Sequence, residues 1–447
     1  MIKTDVLVIG GSAAGLVSAT TAKSKNPEKS VTLIRKEEKV MIPCGIPYIF
    51  GTIGTSDKNI LPDAGLVNLG VDIKIDEVTS IDKESKLCKT KSGEEYSYEK
   101  LIFATGSTPT MPKWLKGTNL ENVFTIPKSK TYLDAFQKKL TNFKKVVVVG
   151  AGFIGVEMSD ELNKKGFDVT LVEIMPRILG LAFDEEFAKA AEEKLVSRGV
   201  KVLTNTGIKE ILGENKVSSV SFNNGETLEA DAVILSMGYR PNATLAQDAG
   251  LELNKLGFII TDQYKRTSVD NIFAVGDCSE KRDFSTGKLS AIMLASTACA
   301  EARVAGLNLY ELSTVTTFRG TIGIYSTNIG DLAVGVAGLT EALATKEGFS
   351  LVTASFTGMD THPGCFEHSH KQTVKLIVSK NNGVILGGEV MGGMSAGELT
   401  NVIGFIIQNN MTINDLLVSQ IGTQPMLTAS PAGYPLIKAA EMIAKQL

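Results

Sequence analysis

Nothing in this 447-residue chain has the length and apolarity of a membrane span, and no charge excess marks it for a charged polymer: the formal net charge is -3 with the signs interspersed. Without a basic field, nucleic acid and anionic membranes are poor partners, and a small molecule is the expected one. Cysteine is scarce and scattered. Its five residues show neither zinc-ligand nor secretory spacing, which suits a reducing cytoplasm where a thiol can cycle. The apolar stretch from Val6 to Ala22 is interrupted at its start by Asp5, contains glycines fitting a phosphate-binding turn, and is followed by no cleavage pattern, so no targeting segment is expected. Hydrophobic residues make up 43% and charged residues 21%, which predicts roughly two to four soluble globular domains rather than a disordered chain.

What is present is one pattern written twice. Asp5–Ile9 is a short apolar strand that enters G-G-S-A-A-G at Gly10–Gly15, followed by a helical stretch to about Lys25 and a second strand, Val31–Ile34. Such a turn brings backbone N–H groups and a helix N-terminus close to a pyrophosphate. Ser12 replaces the middle glycine, and Arg35 stands where an acidic residue would meet an adenosine ribose. The second copy is complete: Lys145–Val149 leads into G-A-G-F-I-G at Gly150–Gly155, and a strand Val169–Val172 ends in Glu173. That carboxylate can accept both ribose hydroxyls and repel a 2′-phosphate, which favours NADH over NADPH; a solvated strand end is the plain alternative. Each copy continues with a Gly-Val strand start (Gly70, Gly199), a Gly-Glu hairpin turn (Gly93, Gly225) and an apolar strand ending in glycine, at Leu101–Gly106 and Ala232–Gly238. Two related nucleotide-binding units are expected.

The stretch from Arg35 to Gly70 is longer than its counterpart from Glu173 to Gly199, and the extra residues hold the run MIPCGIPY, Met41–Tyr48. Pro43 and Pro47 restrict the backbone around Cys44 while Gly45 permits a turn, so the thiol is expected on a stiff elbow. A lone cysteine is otherwise a small, inert hydrophobe. Further on, DNIFAVGD ends in Gly276 and Asp277, where the aspartate either meets a cofactor's polyol or caps a helix. Beyond about Arg319, alternating strands Val374–Val378 and Val384–Val390 flank an Asn-Asn-Gly turn, and helices follow to the end.

With these motifs the whole chain resembles the pyridine nucleotide-disulfide oxidoreductases, in particular the single-cysteine branch of coenzyme A-disulfide reductases, NADH oxidases and NADH-dependent persulfide or sulfur reductases. The resemblance implies an α/β chain of two Rossmann-like domains, one for FAD and one for NADH, with a C-terminal α+β dimerisation domain. The corresponding boundaries are 1–115 and 246–318 for the two parts of the FAD domain, 116–245 for the NAD domain and 319–447 for the last. It implies FAD contacts from Gly10, Ser12, Ala13, Ala14, Gly15, Arg35, Pro43, Ala104, Thr105, Gly106, Gly276 and Asp277. NADH contacts are implied for Gly150, Gly152, Ile154, Gly155, Glu173 and Gly238. Cys44 becomes the redox-active cysteine, and the lack of a C-x-x-x-x-C pair excludes an internal-disulfide mechanism. A low thiol pKa is expected to keep Cys44 nucleophilic.

The implied activity is NADH-dependent reduction of a small disulfide, persulfide or polysulfide, coenzyme A-linked forms included, by a cytoplasmic homodimer. An NADH oxidase working through a Cys44 sulfenic acid is the alternative. It is disfavoured because peroxidase and water-forming oxidase relatives carry a histidine in the first glycine turn, where Ala13 stands here. A redox-sensing flavoprotein with a structural Cys44 is an alternative from another class. Lys23 and Lys25 are candidate partners for coenzyme A phosphates, although solvated lysines are the plainer reading. Tyr434, in S-P-A-G-Y-P, looks like a tyrosine that coenzyme A-disulfide reductases supply to the partner subunit's site. The loop Thr361–His370 departs from that pattern: Cys365 and Phe366 stand where a tyrosine is expected, with His362, His368 and His370 around them. The H-x-x-C-x-x-H-x-H pattern offers ligands to a divalent metal such as zinc, but its spacing matches no standard zinc finger, and metal binding is the lesser reading. Cys365 is instead a candidate resolving thiol or persulfide relay, with an incidental loop as the alternative.

Overall fold

The computed structural model describes residues 1–447. Its first sheet runs Asp72–Ile75, Val31–Arg35, Ile2–Ile9 and Glu95–Phe103, all parallel; Ile272–Ala274 pairs parallel with Glu95–Phe103, and Leu87–Thr90 and Val78–Asp82 extend it antiparallel. The strands are apolar on both faces because helices and a second layer cover them: Val6, Leu7, Val8, Leu33, Leu101 and Ile102 are all buried. The second sheet is wholly parallel, in the order Lys201–Leu203, Asp168–Val172, Lys145–Val149, Ala232–Leu235, Val123–Phe124. In each sheet a central strand, Ile2–Ile9 or Lys145–Val149, runs through a glycine turn into a helix, Ala13–Lys25 in one and Phe153–Lys164 in the other. The strand expected to reach Gly106 ends at Phe103, and Ala104–Gly106 continues as an irregular segment at the sheet's carboxyl edge.

The C-terminal part is a five-stranded antiparallel sheet, Ile324–Ile329, Leu332–Gly338, Ile385–Gly392, Lys371–Ser379, Leu351–Met359. The amphipathic helices Ser395–Gln408 and Pro435–Ala444 supply Leu399, Ile403, Leu436 and Ile443 to its core. No helix is long and apolar enough to cross a membrane.

This sheet is latched to the second nucleotide unit by ions. Asp184, the N-cap of helix Glu185–Ser197, accepts the N–H groups of Glu341 and Ala342 at 2.9 and 3.1 Å and the Lys375 ammonium at 3.0 Å. Glu389, fully buried, accepts the Asp184 N–H at 2.7 Å. Burial first, and then the facing Asp184 carboxylate, push the Glu389 carboxyl from 4.5 up to about 9, so it keeps its proton. The unfolded chain gives that proton up, so stability falls as pH rises from the ordinary carboxyl range and levels off above about 9, by at most about 1.4 kcal/mol per pH unit. Glu389→Gln copies the protonated form. Its thermal unfolding midpoint is expected to match wild type at about pH 5 and to exceed it by a few degrees at about pH 9. Equal midpoints at the higher pH would refute the retained proton on Glu389.

Candidate active site

Around Cys44 the chain makes two short 3₁₀ turns, Pro43–Gly45 and Pro47–Phe50, each opened by a proline where a fixed φ and a missing N–H do no harm. Asn59 braces them by donating Nδ2 to the Ile42 carbonyl at 2.9 Å. A Cβ on Gly45 would fall 2.0 Å from Asn59 Oδ1. Gly45 is therefore needed for space; it is not among the glycines of positive φ, and the turn freedom inferred from the sequence is not what it provides. The next segment is clamped to helix Phe153–Lys164: Glu161 accepts the Thr52 hydroxyl at 2.7 Å and the Thr52 N–H, and a Cβ on Gly51 would meet Glu161 Oε2 at 2.3 Å. Gln137 Nε2 caps the Ile49 carbonyl at 2.8 Å. Cys44 itself is exposed on this braced elbow.

The charges near the thiol differ from the sequence expectation. Although Cys44 is reachable by solvent, the surrounding protein desolvates it enough to hold its pKa above the ordinary value; Glu157 adds to the rise, and Lys128 opposes it. The expected low pKa is thus not supplied by the polypeptide's own groups. Lys128 Nζ donates to Asp277 Oδ2 at 2.7 Å and to Ser107 Oγ at 3.2 Å, and Ser107 donates to the same Asp277 oxygen at 2.7 Å. Burial acts to raise the Asp277 carboxyl, but Lys128, Ser107 and Lys281 together bring it below the usual range. Glu157 accepts the Thr327 hydroxyl at 2.9 Å, which only partly offsets the burial that lifts its carboxyl to about 7. A carboxyl at that value can hold or release a proton near neutral pH.

The first glycine turn is a backbone cradle. A Cβ on Gly10 would lie 2.2 Å from the Ala104 carbonyl oxygen, and one on Gly15 would lie 1.8 Å from the Gly10 oxygen. Gly276, at φ +76°, abuts Ala14, so the turn, the Ala104–Gly106 segment and the Gly276–Asp277 turn converge. Ser12 caps no N–H with its side chain, and Ala13 and Ala14 open the helix without covering those donors. Unpaired amide donors beside a buried carboxylate fit the diphosphate and polyol of FAD. Thr105 and Gly106 are pinned by Asn242, which accepts Thr105 Oγ1 on its carbonyl at 2.6 Å and donates Nδ2 to the Thr105 carbonyl at 2.9 Å. Arg35 is 4% exposed, its guanidinium bound to Asp63 at 2.5 Å and to the carbonyls of Glu37 and Glu38 at 2.9 and 2.8 Å. Only its aliphatic stem is left to face Gly11.

In the second turn a Cβ on Gly155 would fall 1.9 Å from the Gly150 oxygen, whereas nothing lies within 4 Å of one on Gly152 or Gly238, so these two face open space. Ile154, next to Gly155, packs into the core below. Glu173 accepts the Ala151 N–H at 2.7 Å and the Met175 N–H at 2.8 Å, which fixes its carboxylate at the strand end with lone pairs to spare.

The histidine loop packs against the stretch Pro425–Thr428, a few residues before the Tyr434 turn. The His362 N–H bonds the Pro425 carbonyl at 2.9 Å, His362 Nδ1 lies 2.9 Å from the Thr428 carbonyl, and His368 Nε2 lies 3.3 Å from that of Met426. Cys365 is exposed at the tip of this loop, and half-buried Tyr434 caps the last helix beside the 3₁₀ turn Pro431–Gly433. His370 faces Asp360 instead, and no group of His, Cys, Asp and Glu side chains converges to hold a metal. Lys23 does not stand free: Nζ donates to the Pro27 and Lys29 carbonyls at 2.7 and 2.8 Å, which satisfies its own loop. Lys128, Ser107, Asn242 and Glu157 escaped the sequence reading. Only Glu157 left a local signal, an acidic residue two positions past the last fingerprint glycine.

Residues 4–302 match the family model for pyridine nucleotide-disulphide oxidoreductases, and residues 324–432 match that family's dimerisation domain. The chain is 31% identical over 451 residues to the NAD(P)H coenzyme A polysulfide/persulfide reductase of Pyrococcus horikoshii, covering 99% of both. It is also 31% identical over 454 residues to the NADH oxidase of Methanocaldococcus jannaschii, again covering 99% of both. Among solved structures, the NAD-dependent persulfide reductase of A. fulgidus superposes with a TM-score of 0.91 at 29% identity, over 99% of this chain and 83% of that one.

Proposed function

Because the chain belongs to the pyridine nucleotide-disulphide oxidoreductases, we propose that it takes two electrons from NADH and reduces a low-molecular-weight disulfide, persulfide or polysulfide through Cys44. The observation that carries this reading is the exposed Cys44 thiol on its braced elbow, within the field of the Lys128–Asp277 pair where the FAD cradle closes. Bound FAD supplies the relay between hydride and sulfur. The first glycine turn receives its diphosphate, Asp277 and Ser107 its polyol, and Glu173 the ribose diol of NADH. Cys44 attacks one sulfur of the acceptor as a thiolate, forming a mixed disulfide or persulfide and expelling the other fragment as a thiolate. Two electrons from NADH then break the bond to Cys44 and restore its thiolate. Glu157 holds the proton that the expelled sulfur requires, and Lys128 offsets part of the cost of charge at Cys44.

NADH oxidase names among the relatives favour oxygen or peroxide as a second acceptor, for which an exposed thiol that forms a sulfenic acid is suited. Against it stands Ala13, since all three histidines of the chain lie in the 362–370 loop. Anaerobic NADH oxidation with polysulfide, coenzyme A disulfide or coenzyme A persulfide, compared with readmitted oxygen, separates the two. Turnover only with oxygen would overturn the sulfur reading, and turnover with no acceptor would leave the sensor.

The functional unit is a homodimer. The apolar side chains of Met394, Phe405, Val418 and Leu427, left 90, 66, 82 and 72% exposed in the single chain, support burial of the C-terminal face against a second copy. In that dimer the lobe bearing Cys365 and Tyr434 serves the partner subunit's sulfur site, the phenol as hydrogen-bond donor and Cys365 as relay. Cys365→Ser is expected to lower polysulfide turnover roughly tenfold while leaving reduction of the flavin by NADH unchanged. Mild oxidation should link Cys44 to Cys365 across subunits. Unaltered polysulfide turnover would reject the relay.

A further inference from the structure

Three ionic side chains that neither nucleotide fingerprint includes lie beneath the Gly276–Asp277 turn. Lys265 and Lys281 are 1% exposed and Glu301, on helix Ala295–Leu307, is 0% exposed. Glu301 Oε2 accepts the Gly276 N–H at 2.7 Å and the Ser279 hydroxyl at 3.1 Å, and Oε1 accepts Lys265 Nζ at 3.0 Å. Lys281 Nζ donates to the Gly276 carbonyl at 2.6 Å and the Ser279 carbonyl at 2.9 Å, and lies 3.9 Å from Glu301 Oε2. Lys265 Nζ is completed by the Glu280 carbonyl at 2.9 Å.

Taking three ions out of water is expensive, and apolar residues of similar volume would pack the helix at least as well. What an apolar group cannot do is hold a peptide group. Here the N–H of Gly276 ends on a carboxylate and its carbonyl on an ammonium, so both bonds are charge-assisted. The turn has no slack above either, since Gly276 at φ +76° already abuts Ala14 of the first fingerprint helix. The next residue is Asp277, whose carboxylate is aimed by Ser107 and Lys128.

We propose that Glu301, together with Lys265 and Lys281, is a positioning unit for FAD: it clamps Gly276 from below so that Asp277 is presented to the cofactor's polyol. This rests on the assignment of Asp277 to FAD, and the test treats the two separately. FAD release from the holoenzyme is followed as the recovery of free-flavin fluorescence after dilution, in Asp277→Asn, Glu301→Gln, Lys281→Met and the Asp277→Asn/Glu301→Gln pair. Asp277→Asn alone is expected to speed release at least about tenfold; release at the wild-type rate would defeat the assignment itself. Glu301→Gln is expected to speed release about tenfold in the wild-type background and less than about twofold when Asp277 is already asparagine, because the clamp acts through that side chain. Lys281→Met keeps the stem and should give the same acceleration, which covers a Glu301 variant that fails to fold. With Asp277→Asn accelerated, wild-type release in both clamp variants, or an undiminished effect in the double variant, overturns the proposal. So does a change confined to thermal stability.

Discussion

Cys44→Ser is expected to cut kcat/KM for a polysulfide or disulfide acceptor by at least about 10³-fold while NADH still reduces the flavin, because a hydroxyl neither ionises in the accessible pH range nor forms the sulfur–sulfur bond. Two-electron reduction of wild type is expected to give a long-wavelength thiolate-to-flavin absorption that the serine variant lacks. The structure adds a pH dependence. Burial and Glu157 hold the thiol above its ordinary pKa and Lys128 pulls it down, so acceptor kcat/KM should climb with rising pH until Glu157, lifted to about 7, gives up the proton the expelled sulfur needs, and level off beyond. Lys128→Met should lower kcat/KM across that range. Indistinguishable spectra and turnover in wild type and Cys44→Ser would make Cys44 structural and leave the sensor reading.

Glu173→Arg is expected to narrow or reverse the preference for NADH over NADPH. Replacing a bidentate acceptor that repels a 2′-phosphate by a cation that attracts one is worth roughly 1–3 kcal/mol, about 5- to 150-fold in the ratio of kcat/KM values. The alanine variant should fall between the two. It should also raise KM for both cofactors, since the carboxylate secures the Ala151 and Met175 N–H groups that shape the turn. Measured kcat/KM for both cofactors in the three proteins decides this, and equal use by wild type would sink the assignment.

Sequence-level legibility followed the range of the interaction. Gly15 and Gly155 close on the Gly10 and Gly150 carbonyls within their own strand–turn–helix units, so the fingerprint spacing was enough to announce both cradles, although Gly10 and Gly150 also make room for Ala104 and Ser236 of a neighbouring strand end. The antiparallel pairing of Lys371–Ser379 with Ile385–Gly392 was likewise a local hairpin pattern. By contrast, Lys128 reaches Asp277, Asn242 reaches Thr105, and Glu161 reaches Thr52 only after folding, and none has a neighbour in the chain that hints at its partner. Gly45 was marked correctly as a constrained position but for another cause, crowding by Asn59. The thiol's electrostatics were misjudged because both causes of its raised pKa arise only on folding: burial first, and then Glu157, which arrives from the other nucleotide unit. The histidines read as one cluster, yet separate carbonyls and Asp360 draw them apart.

Helix Phe153–Lys164 starts at the glycine turn of the second unit, bonds Thr52 of the elbow through Glu161, and bonds Thr327 of the C-terminal sheet through Glu157. A swing of the NAD-binding unit away from the sulfur would have to break all of these at once. Such a motion would strip Glu157 and Glu161 of their partners together, at about 1–3 kcal/mol for each hydrogen bond to a charged group. The helix also fixes their bearing: a one-residue insertion between Gly155 and Glu157 would rotate both carboxylates by about 100° relative to Gly155 and turn them away from Thr327 and Thr52.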